Sequence, residues 1–151
     1  MSTEQTRSLI ERFYSALTNG DREDLRACLS SDVVWRLPQT AGETGSGGAD
    51  QDGCVRGREA VAAELGGRTI KDTFDISKPF ALEIRNMIVD GELAAVQQRL
   101  TATTKAKGAE YDNQYCWVYS CQDGEISHIE EYADTLYAAR TMGWKLEGEE
   151  Q

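Results

Sequence analysis

The residues of this sequence with the greatest potential for chemistry lie between Tyr111 and Thr135, where polar side chains recur among aromatic ones. Asn113 and Tyr115 can donate hydrogen bonds to a carbonyl oxygen on which negative charge develops. Glu131 can take up and return a proton if an apolar cavity raises its pKa toward neutrality. Together these groups predict proton transfer next to a carbonyl, as in isomerisation, aldol closure or elimination.

The same residues have other interpretations, which the sequence leaves open. Glu131 is an acid–base group, an ion-pair partner of Arg99 or an exposed carboxylate. Arg99 shares a strand face with Gln97 and Thr101, and this polar stripe either holds a ligand carboxylate or enolate or faces solvent. Tyr115 either meets the ligand or fills the core with its hydroxyl satisfied.

Large apolar side chains elsewhere predict the wall of a cavity for a ring-bearing ligand. The same side chains would also serve as ordinary core residues without any ligand. The predicted substrate-binding residues, including two from the polar stripe, are Phe13, Trp35, Leu37, Gln97, Thr101 and Trp117.

Two further titratable residues are predicted to have other roles. Alternation along a strand places His128 on the opposite face from Glu131, so a His–Glu pair is not expected. His128 is instead predicted at the outer face or at a dimer contact. Asp134 precedes a helical stretch and is predicted to cap that helix.

The elements that position these residues follow from periodicity and turn chemistry. Ser2 and Gln5 predict a capping box at the start of the first helix. Asp90-Gly91 and residues 122–124 predict two hairpin turns. The predicted helices cover residues 2–17, 21–29, 57–65 (ending at the glycine pair 66–67) and 135–141, and the predicted strands cover 32–37, 80–89, 93–104, 111–120 and 125–132.

This element order, with three helices before a run of long antiparallel strands, is typical of an α+β fold. We expect the N-terminal helices to cover one side of a curved sheet, so that its concave side forms a pocket. An apolar outer face would predict a sheet-to-sheet homodimer. The candidates for core or dimer face are Leu82, Val96, Leu100 and Val118.

One domain is predicted for residues 1–142, followed by an acidic tail at 143–151. Residues 39–56 are rich in Gly, Ser and Asp, which predicts a flexible loop and a candidate lid. A phosphate-binding interpretation of these glycines is disfavoured, because no Gly-Lys-Ser/Thr follows and Pro38 ends the preceding strand.

Composition narrows the classes of function. The 151 residues include 16 Lys and Arg against 26 Asp and Glu, and the net charge of −10 disfavours nucleic acid as a partner. The sequence shows neither a membrane span nor a signal-peptide pattern, so a cytoplasmic protein without membrane contact is predicted. Because the four cysteines form no CxxC pair and there is one histidine, we expect reduced thiols, no zinc site and no cofactor.

Three segments, LIERFYSALTNGDREDLRACLSSDVVW, GREAV and NQYCWVYSCQDGEISHIEEYADT, resemble the nuclear transport factor 2-like superfamily. Within it, they resemble the branch of ketosteroid isomerase-related and SnoaL-like proteins. The resemblance implies a cone-shaped α+β fold of the cystatin-like, ketosteroid isomerase-like type. It does not select a reaction, because the superfamily includes isomerases, epoxide hydrolases, polyketide cyclases, dehydratases and non-catalytic proteins.

The resemblance can be tested at the catalytic positions of the steroid isomerases. These proteins use a Tyr in the first helix, an Asp late in the first strand and a protonated Asp in a later strand. The matching positions here hold Phe13, Leu37 and Tyr115. Steroid isomerisation by the same residues is therefore disfavoured, although Tyr115 can still polarise a carbonyl.

Two other branches imply roles for Glu131. Similarity to limonene epoxide hydrolase keeps Arg99 and a final carboxylate at Glu131, but Thr101 stands in place of the first Asp. Trp35 and Leu37 stand in place of the groups that position water, which weakens the hydrolase interpretation. Similarity to SnoaL-type polyketide cyclases implies that Glu131 is the acid–base carboxylate for an aldol closure.

The sequence thus predicts an enzyme for cofactor-free acid–base chemistry on an apolar, carbonyl-containing or cyclic small molecule. Its predicted catalytic residues are Glu131, Tyr115, Asn113 and Arg99. The main alternative is a non-catalytic carrier of a small hydrophobic ligand in the same cavity. A third interpretation, a protein-docking module, requires an exposed apolar patch.

Overall fold

A curved, six-stranded sheet frames the computed structural model, which describes residues 1–38, 49–144 and 148. The described helices are α1 (Thr3–Asn19), α2 (Arg22–Ala27), α3 (Arg58–Ala63), α4 (Thr69–Thr73) and α5 (Thr135–Met142). The strands are β1 (Leu29–Arg36), β2 (Cys54–Arg56), β3 (Ala81–Asp90), β4 (Leu93–Thr103), β5 (Glu110–Gln122) and β6 (Glu125–Ala133), in the order β2-β1-β6-β5-β4-β3. In this part of the chain no helix has both the length and the apolar character needed to cross a membrane.

The helix ends follow the predicted capping chemistry. The Ser2 hydroxyl accepts from the Gln5 backbone N–H at 3.1 Å and the Gln5 side chain accepts from the Ser2 backbone N–H at 2.8 Å, which completes the capping box. Gly20 has a φ of 69° and ends α1 in the left-handed conformation. Asp21 caps α2 and Asp134 caps α5 through their side-chain oxygens.

The sequence predicts that the third helix ends at the glycine pair 66–67, but the helix continues past it. α3 continues into a π-helical turn, Glu64–Arg68, and then into α4. Gly67 has a φ of 134°, which glycine adopts easily, so the chain bends here and continues. Glu64, at the start of this turn, is only 3% exposed.

Both predicted hairpins are present. Gly91 has a φ of 57° in the β3–β4 turn, and Asp123 and Gly124 have φ values of 53° and 80° in the β5–β6 turn. Positive φ at these positions matches the twist of the turns to that of the strands. β6 also pairs in parallel with β1, which places Ile129 beside Trp35.

Two segments predicted to be irregular contain regular structure or packed residues. Cys54–Arg56, inside the predicted loop, forms β2 and pairs with β1. Trp144, inside the predicted tail, packs against an apolar cluster that includes Met142. Outside the described residues lie 39–48 of the predicted lid and 145–147 and 149–151 of the predicted tail.

Two apolar clusters fill the space between the sheet and the helices. The larger contains the fully buried Ile10, Phe13 and Val33. The smaller contains Phe74 and Tyr111 together with residues of α5. Members of both clusters border the cavity that contains the candidate site.

Candidate functional site

The cavity has two lobes that share a border. The α5 lobe, of about 280 Å³, lies beside α5, and the β3 lobe, of about 510 Å³, lies between the α3–α4 segment and the strands β3 and β4. Together they have the size of a small-molecule site. The residues that border both lobes are Trp35, Thr69, Phe74, Tyr115 and Glu131.

Three of the predicted wall residues line this cavity. Leu37 borders the α5 lobe, Trp117 borders the β3 lobe, and the ring centroids of Trp35 and Trp117 lie 5.5 Å apart. The predicted contact of Phe13 with substrate is wrong. Its ring is fully buried in the core and packs against Tyr119, with the centroids 5.5 Å apart.

Glu131 lies where the two lobes meet and has no cationic partner. Trp35 Nε1 donates a hydrogen bond to Glu131 Oε1 at 3.2 Å, and no ion pair among the described residues includes Glu131. Burial raises the pKa of Glu131 to about 8, because the ionised form loses solvation, although the indole hydrogen bond opposes this. Near neutral pH this carboxyl can therefore both accept and return a proton.

Tyr115 belongs to a directed chain of hydrogen bonds. Asn113 Oδ1 accepts from the Gln114 backbone N–H at 2.8 Å, which orients the amide so that Nδ2 donates to Tyr111 Oη at 2.9 Å. Tyr111 Oη lies 2.5 Å from Tyr115 Oη. Either of these two hydroxyls can donate to the other. In one arrangement Tyr111, which accepts from Asn113, donates its own proton to Tyr115. The Tyr115 proton is then available to a ligand.

Asn113 itself is not placed as the sequence predicts. It is 3% exposed and borders neither lobe. Its Nδ2 also donates to the Asp134 backbone oxygen at 3.1 Å, so both amide hydrogens are used inside the protein. Direct donation from Asn113 to a ligand is therefore a wrong prediction, and its contribution is to orient Tyr111.

The polar stripe of Arg99, Gln97 and Thr101 lies on the outer face of β4. Arg99 Nε and Nη2 donate to the Asp112 carboxylate at 2.8 and 2.7 Å. None of the three stripe residues borders the cavity. The structure therefore places these residues away from the cavity in which they were expected to act, because alternation along β4 turns their side chains outward. Arg99 pairs with Asp112 and not with Glu131, which excludes the ion-pair alternative for Glu131.

The residues of β4 that border the cavity are Gln98 and Leu100, which alternate with those of the polar stripe. Gln98 is 3% exposed and, like Leu100, borders the β3 lobe. Val96, on the same face, is fully buried, so two-residue alternation from this apolar position identifies both. Tyr111 carries no such signal, because its role depends on a contact with Tyr115 that exists only in the folded sheet.

A second carboxylate borders the β3 lobe from the π-helical turn. Glu64 accepts hydrogen bonds from Arg68 Nη1 at 3.0 Å and from Thr69 Oγ1 at 2.7 Å. No sequence pattern predicts this position, because it depends on the bend at Gly67. Within residues 1–38 and 49–144, no group of His, Cys, Asp and Glu side chains is arranged to hold a metal ion.

His128 and Asp134 lie outside this site. His128 is on the face of β6 opposite to Glu131, with Nε2 3.2 Å from Glu130 Oε1. Asp134 accepts from the Tyr137 backbone N–H at 3.0 Å as the cap of α5. Both positions agree with alternation and capping as read from the sequence.

Solved structures with the same fold come from several bacteria. An NTF2-like protein from Burkholderia xenovorans LB400 is 23% identical, with a TM-score of 0.73 over 94% of this chain and 98% of that chain. A candidate SnoaL-like polyketide cyclase from Jannaschia sp. CCS1 is 16% identical, with a TM-score of 0.73 over 93% and 92%. An LEH-like epoxide hydrolase from M. tuberculosis is 20% identical, with a TM-score of 0.64 over 93% and 90%. At these identities the likeness establishes the fold alone.

Sequence comparison assigns the chain to a family. No curated protein sequence is significantly similar to it. The profile of the SnoaL-like domain matches residues 10–129, from α1 into β6, and stops before Glu131. The chain therefore belongs to the SnoaL-like domain family, within the NTF2-like superfamily.

Proposed function

We propose that this protein is an enzyme that transfers a proton next to the carbonyl group of a small, apolar ligand. The observation that carries the proposal is the shared position of Glu131 and Tyr115, which border both lobes of one cavity. Glu131 is the acid–base group and Tyr115 is the hydrogen-bond donor. The chemistry needs only side chains of this chain.

The reaction begins with Glu131 in its ionised form. Its carboxylate removes a proton from the carbon next to the carbonyl, and the electron pair of that C–H bond moves toward the carbonyl oxygen to form an enolate. Tyr115 donates a hydrogen bond to this oxygen and stabilises the developing charge. The protonated Glu131 then returns the proton to the same or another carbon, which completes an exchange or an isomerisation.

The surroundings of Tyr115 support its role as a donor. Burial raises the pKa of Tyr115 above its ordinary value, so its hydroxyl keeps its proton throughout the physiological range. When Tyr111 accepts from Asn113 and donates to Tyr115, the Tyr115 proton is free to meet a ligand in the cavity. Such preorganisation lowers the cost of reorganisation when charge develops on a bound oxygen.

The proposal covers the isomerase and aldol-cyclase reactions expected from the resemblance, because both begin with removal of a proton next to a carbonyl. Epoxide hydrolysis is less well supported. Arg99, the one residue besides Glu131 that matches the epoxide hydrolase pattern, does not border the cavity, and neither does Thr101, which stands in place of the first Asp.

Exchange of carbon-bound protons for deuterium tests this function without knowledge of the natural substrate. The probe is 1-tetralone, a bicyclic ketone, incubated with the protein in deuterated buffer and followed by NMR at the carbon beside the carbonyl. We expect Glu131→Gln to lower the protein-dependent rate by at least about 100-fold, and Tyr115→Phe by about 10- to 100-fold.

The pH profile provides the control. The protein-dependent rate should rise with pH up to the Glu131 pKa of about 8 and then level off, because the ionised base performs the first step. The rate in the presence of Glu131→Gln gives the background at each pH. Tight binding of the ketone with equal exchange by wild type and Glu131→Gln would contradict the proposal and favour a non-catalytic carrier.

A further inference from the structure

The amide of Gln98 is fixed in the wall of the β3 lobe. Gln98 Nε2 donates to Tyr14 Oη at 2.7 Å, and Tyr14 Oη lies 2.5 Å from Tyr119 Oη. All three side chains are buried, and the Tyr14 and Tyr119 rings pack edge to face with their centroids 6.1 Å apart. The amide therefore has little freedom to turn away from the lobe.

The other end of this amide has no partner among the described residues. No hydrogen bond reaches Gln98 Oε1, and the only described side-chain oxygen or nitrogen that is both fully enclosed and unpartnered is Thr6 Oγ1. Gln98 Oε1 is therefore open to the β3 lobe, which Gln98 borders. A ligand that fills the lobe covers this oxygen, so a ligand that also supplies a donor to it should bind more tightly than one that leaves it without a partner.

The α3–α4 wall of the lobe adds further hydrogen-bond acceptors. Thr69 Oγ1 donates its proton to Glu64 Oε2, so the Thr69 hydroxyl can only accept from a ligand. The exposed side chain of Arg68 donates to Glu64 Oε1. Tyr115, the donor in the proposed reaction, is the register partner of Gln98 on β5. One ligand can therefore meet a donor on one strand and an acceptor on the next.

We propose that Gln98 determines specificity by accepting a hydrogen bond from the ligand. The β3 lobe then selects cyclic ketones that carry a hydroxyl or amino group on the ring body in addition to the carbonyl. This inference names the substrate class for the proposed function and rests on it for the position of the carbonyl at Tyr115.

Matched tetralones test the inference. The affinity of 1-tetralone is compared by calorimetry with its 5-, 6- and 7-hydroxy, amino and methoxy derivatives. At least one hydroxy or amino isomer should bind about 3- to 10-fold more tightly than 1-tetralone, the worth of one net hydrogen bond. The methoxy compound with the same substitution pattern cannot donate a hydrogen bond and should bind no more tightly than 1-tetralone. Comparison of the hydroxy with the amino derivatives shows whether Gln98 prefers a hydroxyl or an amino donor.

Substitution of Gln98 connects this preference to the amide. Gln98→Met should abolish the preference, and Gln98→Glu, which keeps an acceptor oxygen, should retain it. Gln97→Met changes the adjacent glutamine on the outer face and should leave every affinity ratio unchanged. Each variant is judged by the ratio of its own affinities, which does not depend on the fraction of folded protein.

The inference is overturned if no derivative is preferred, if the methoxy compounds gain as much, if the preference survives Gln98→Met, or if none of the compounds binds. Deuterium exchange separates this result from the proposed function. A Gln98-dependent preference without Glu131-dependent exchange would refute proton transfer and leave the binding inference standing. Glu131-dependent exchange without a Gln98-dependent preference would refute the binding inference and leave the proposed proton transfer standing.

Discussion

Glu131 combines a half-buried carboxyl, an indole donor and no cation among the described residues. An arginine partner would have lowered its pKa, as it does for Asp112 beside Arg99 on the outer face of the sheet. Burial instead raises the pKa of Glu131. The difference between these two carboxylates comes from the face of the sheet on which each lies.

This pKa has a consequence for stability. The ordinary pKa is 4.5 and the folded value is about 8, so the folded state holds the Glu131 proton more tightly than the unfolded state. The free energy of unfolding should therefore fall as pH rises from about 5 to about 8. We expect the free energy of unfolding of the wild type, relative to that of Glu131→Gln, to fall by on the order of 3 kcal/mol between pH 5 and pH 9. Urea denaturation measures this difference.

Glu130 provides the control for this measurement. It lies on the outer face, and hydrogen bonds from Tyr132 and His128 lower its pKa, so it is already ionised at pH 5. The stability difference between wild type and Glu130→Gln should be nearly constant from about pH 6.5 to pH 9, because Glu130 is ionised there in both the folded and the unfolded state. An equally flat difference for Glu131→Gln would show that Glu131 is not a protonated, buried carboxyl.

Tyr111 should influence the reaction without touching the ligand oxygen. Tyr111→Phe removes the donor to Tyr115, so Tyr115 becomes a weaker hydrogen-bond donor. We expect the kcat of deuterium exchange to fall about 3- to 10-fold with KM nearly unchanged and the pH midpoint still near that of Glu131. Tyr132→Phe, which loses an exposed hydroxyl on the outer face, should leave kcat unchanged. Equal rates for wild type and Tyr111→Phe would contradict the directed chain.

At the scale of elements, the segment from α3 to α4 forms one wall of the β3 lobe because the chain bends without ending the helix. The π-helical turn brings Glu64 and Leu65 to the lobe, and Thr69, the first residue of α4, borders both lobes. π-helical turns of this kind occur frequently at functional sites. The glycine that permits the bend therefore contributes to the site as well as to the fold.

The two adjacent glycines of this turn should respond differently to alanine. Gly67→Ala places a side chain at a φ of 134° and should cost about 1–2 kcal/mol. Gly66 does not have a positive φ, and an added Cβ would meet its nearest atoms at 3.9 Å, an ordinary contact. Gly66→Ala should therefore be neutral or stabilising by up to about 1 kcal/mol. Chemical denaturation measures both, and equal effects would contradict the assigned strain.

At the scale of the molecule, the outer face of the sheet carries a row of apolar side chains. Ile88 pairs with Ala95, and Ala95 pairs with Val118, so the row crosses three strands. Ile88 is 66% exposed. A row of this kind is suited to the homodimer predicted from the sequence.

The predicted homodimer can be tested by sedimentation. We expect wild-type protein to sediment as a dimer and Ile88→Glu as a monomer, because a carboxylate within an apolar interface would lose solvation. Ile76→Glu is the control, since Ile76 is also exposed but borders the β3 lobe on the other side of the sheet. A monomeric wild type would refute the dimer.

The amino-acid sequence is enough to predict the α+β element order, the helix caps, both hairpin turns and the alternation that puts Tyr115 and Trp117 on one strand face. These features depend on interactions within a few residues, so local chemistry fixes them. Alternation also separates the two faces of β4, but it does not say which face is inward. Arg99 was consequently predicted in the site and Gln98 was not.

Three features emerge only in the folded protein: which face of β4 meets the helices, that Glu131 lacks a cation among the described residues, and that Asn113 and Tyr111 form a hydrogen-bonded chain with Tyr115. Each depends on contacts between residues of different strands or on the bend at Gly67. Burial and hydrogen bonding across the sheet set the pKa of a carboxyl and the direction of a hydroxyl proton, and neither can be read from neighbours in sequence.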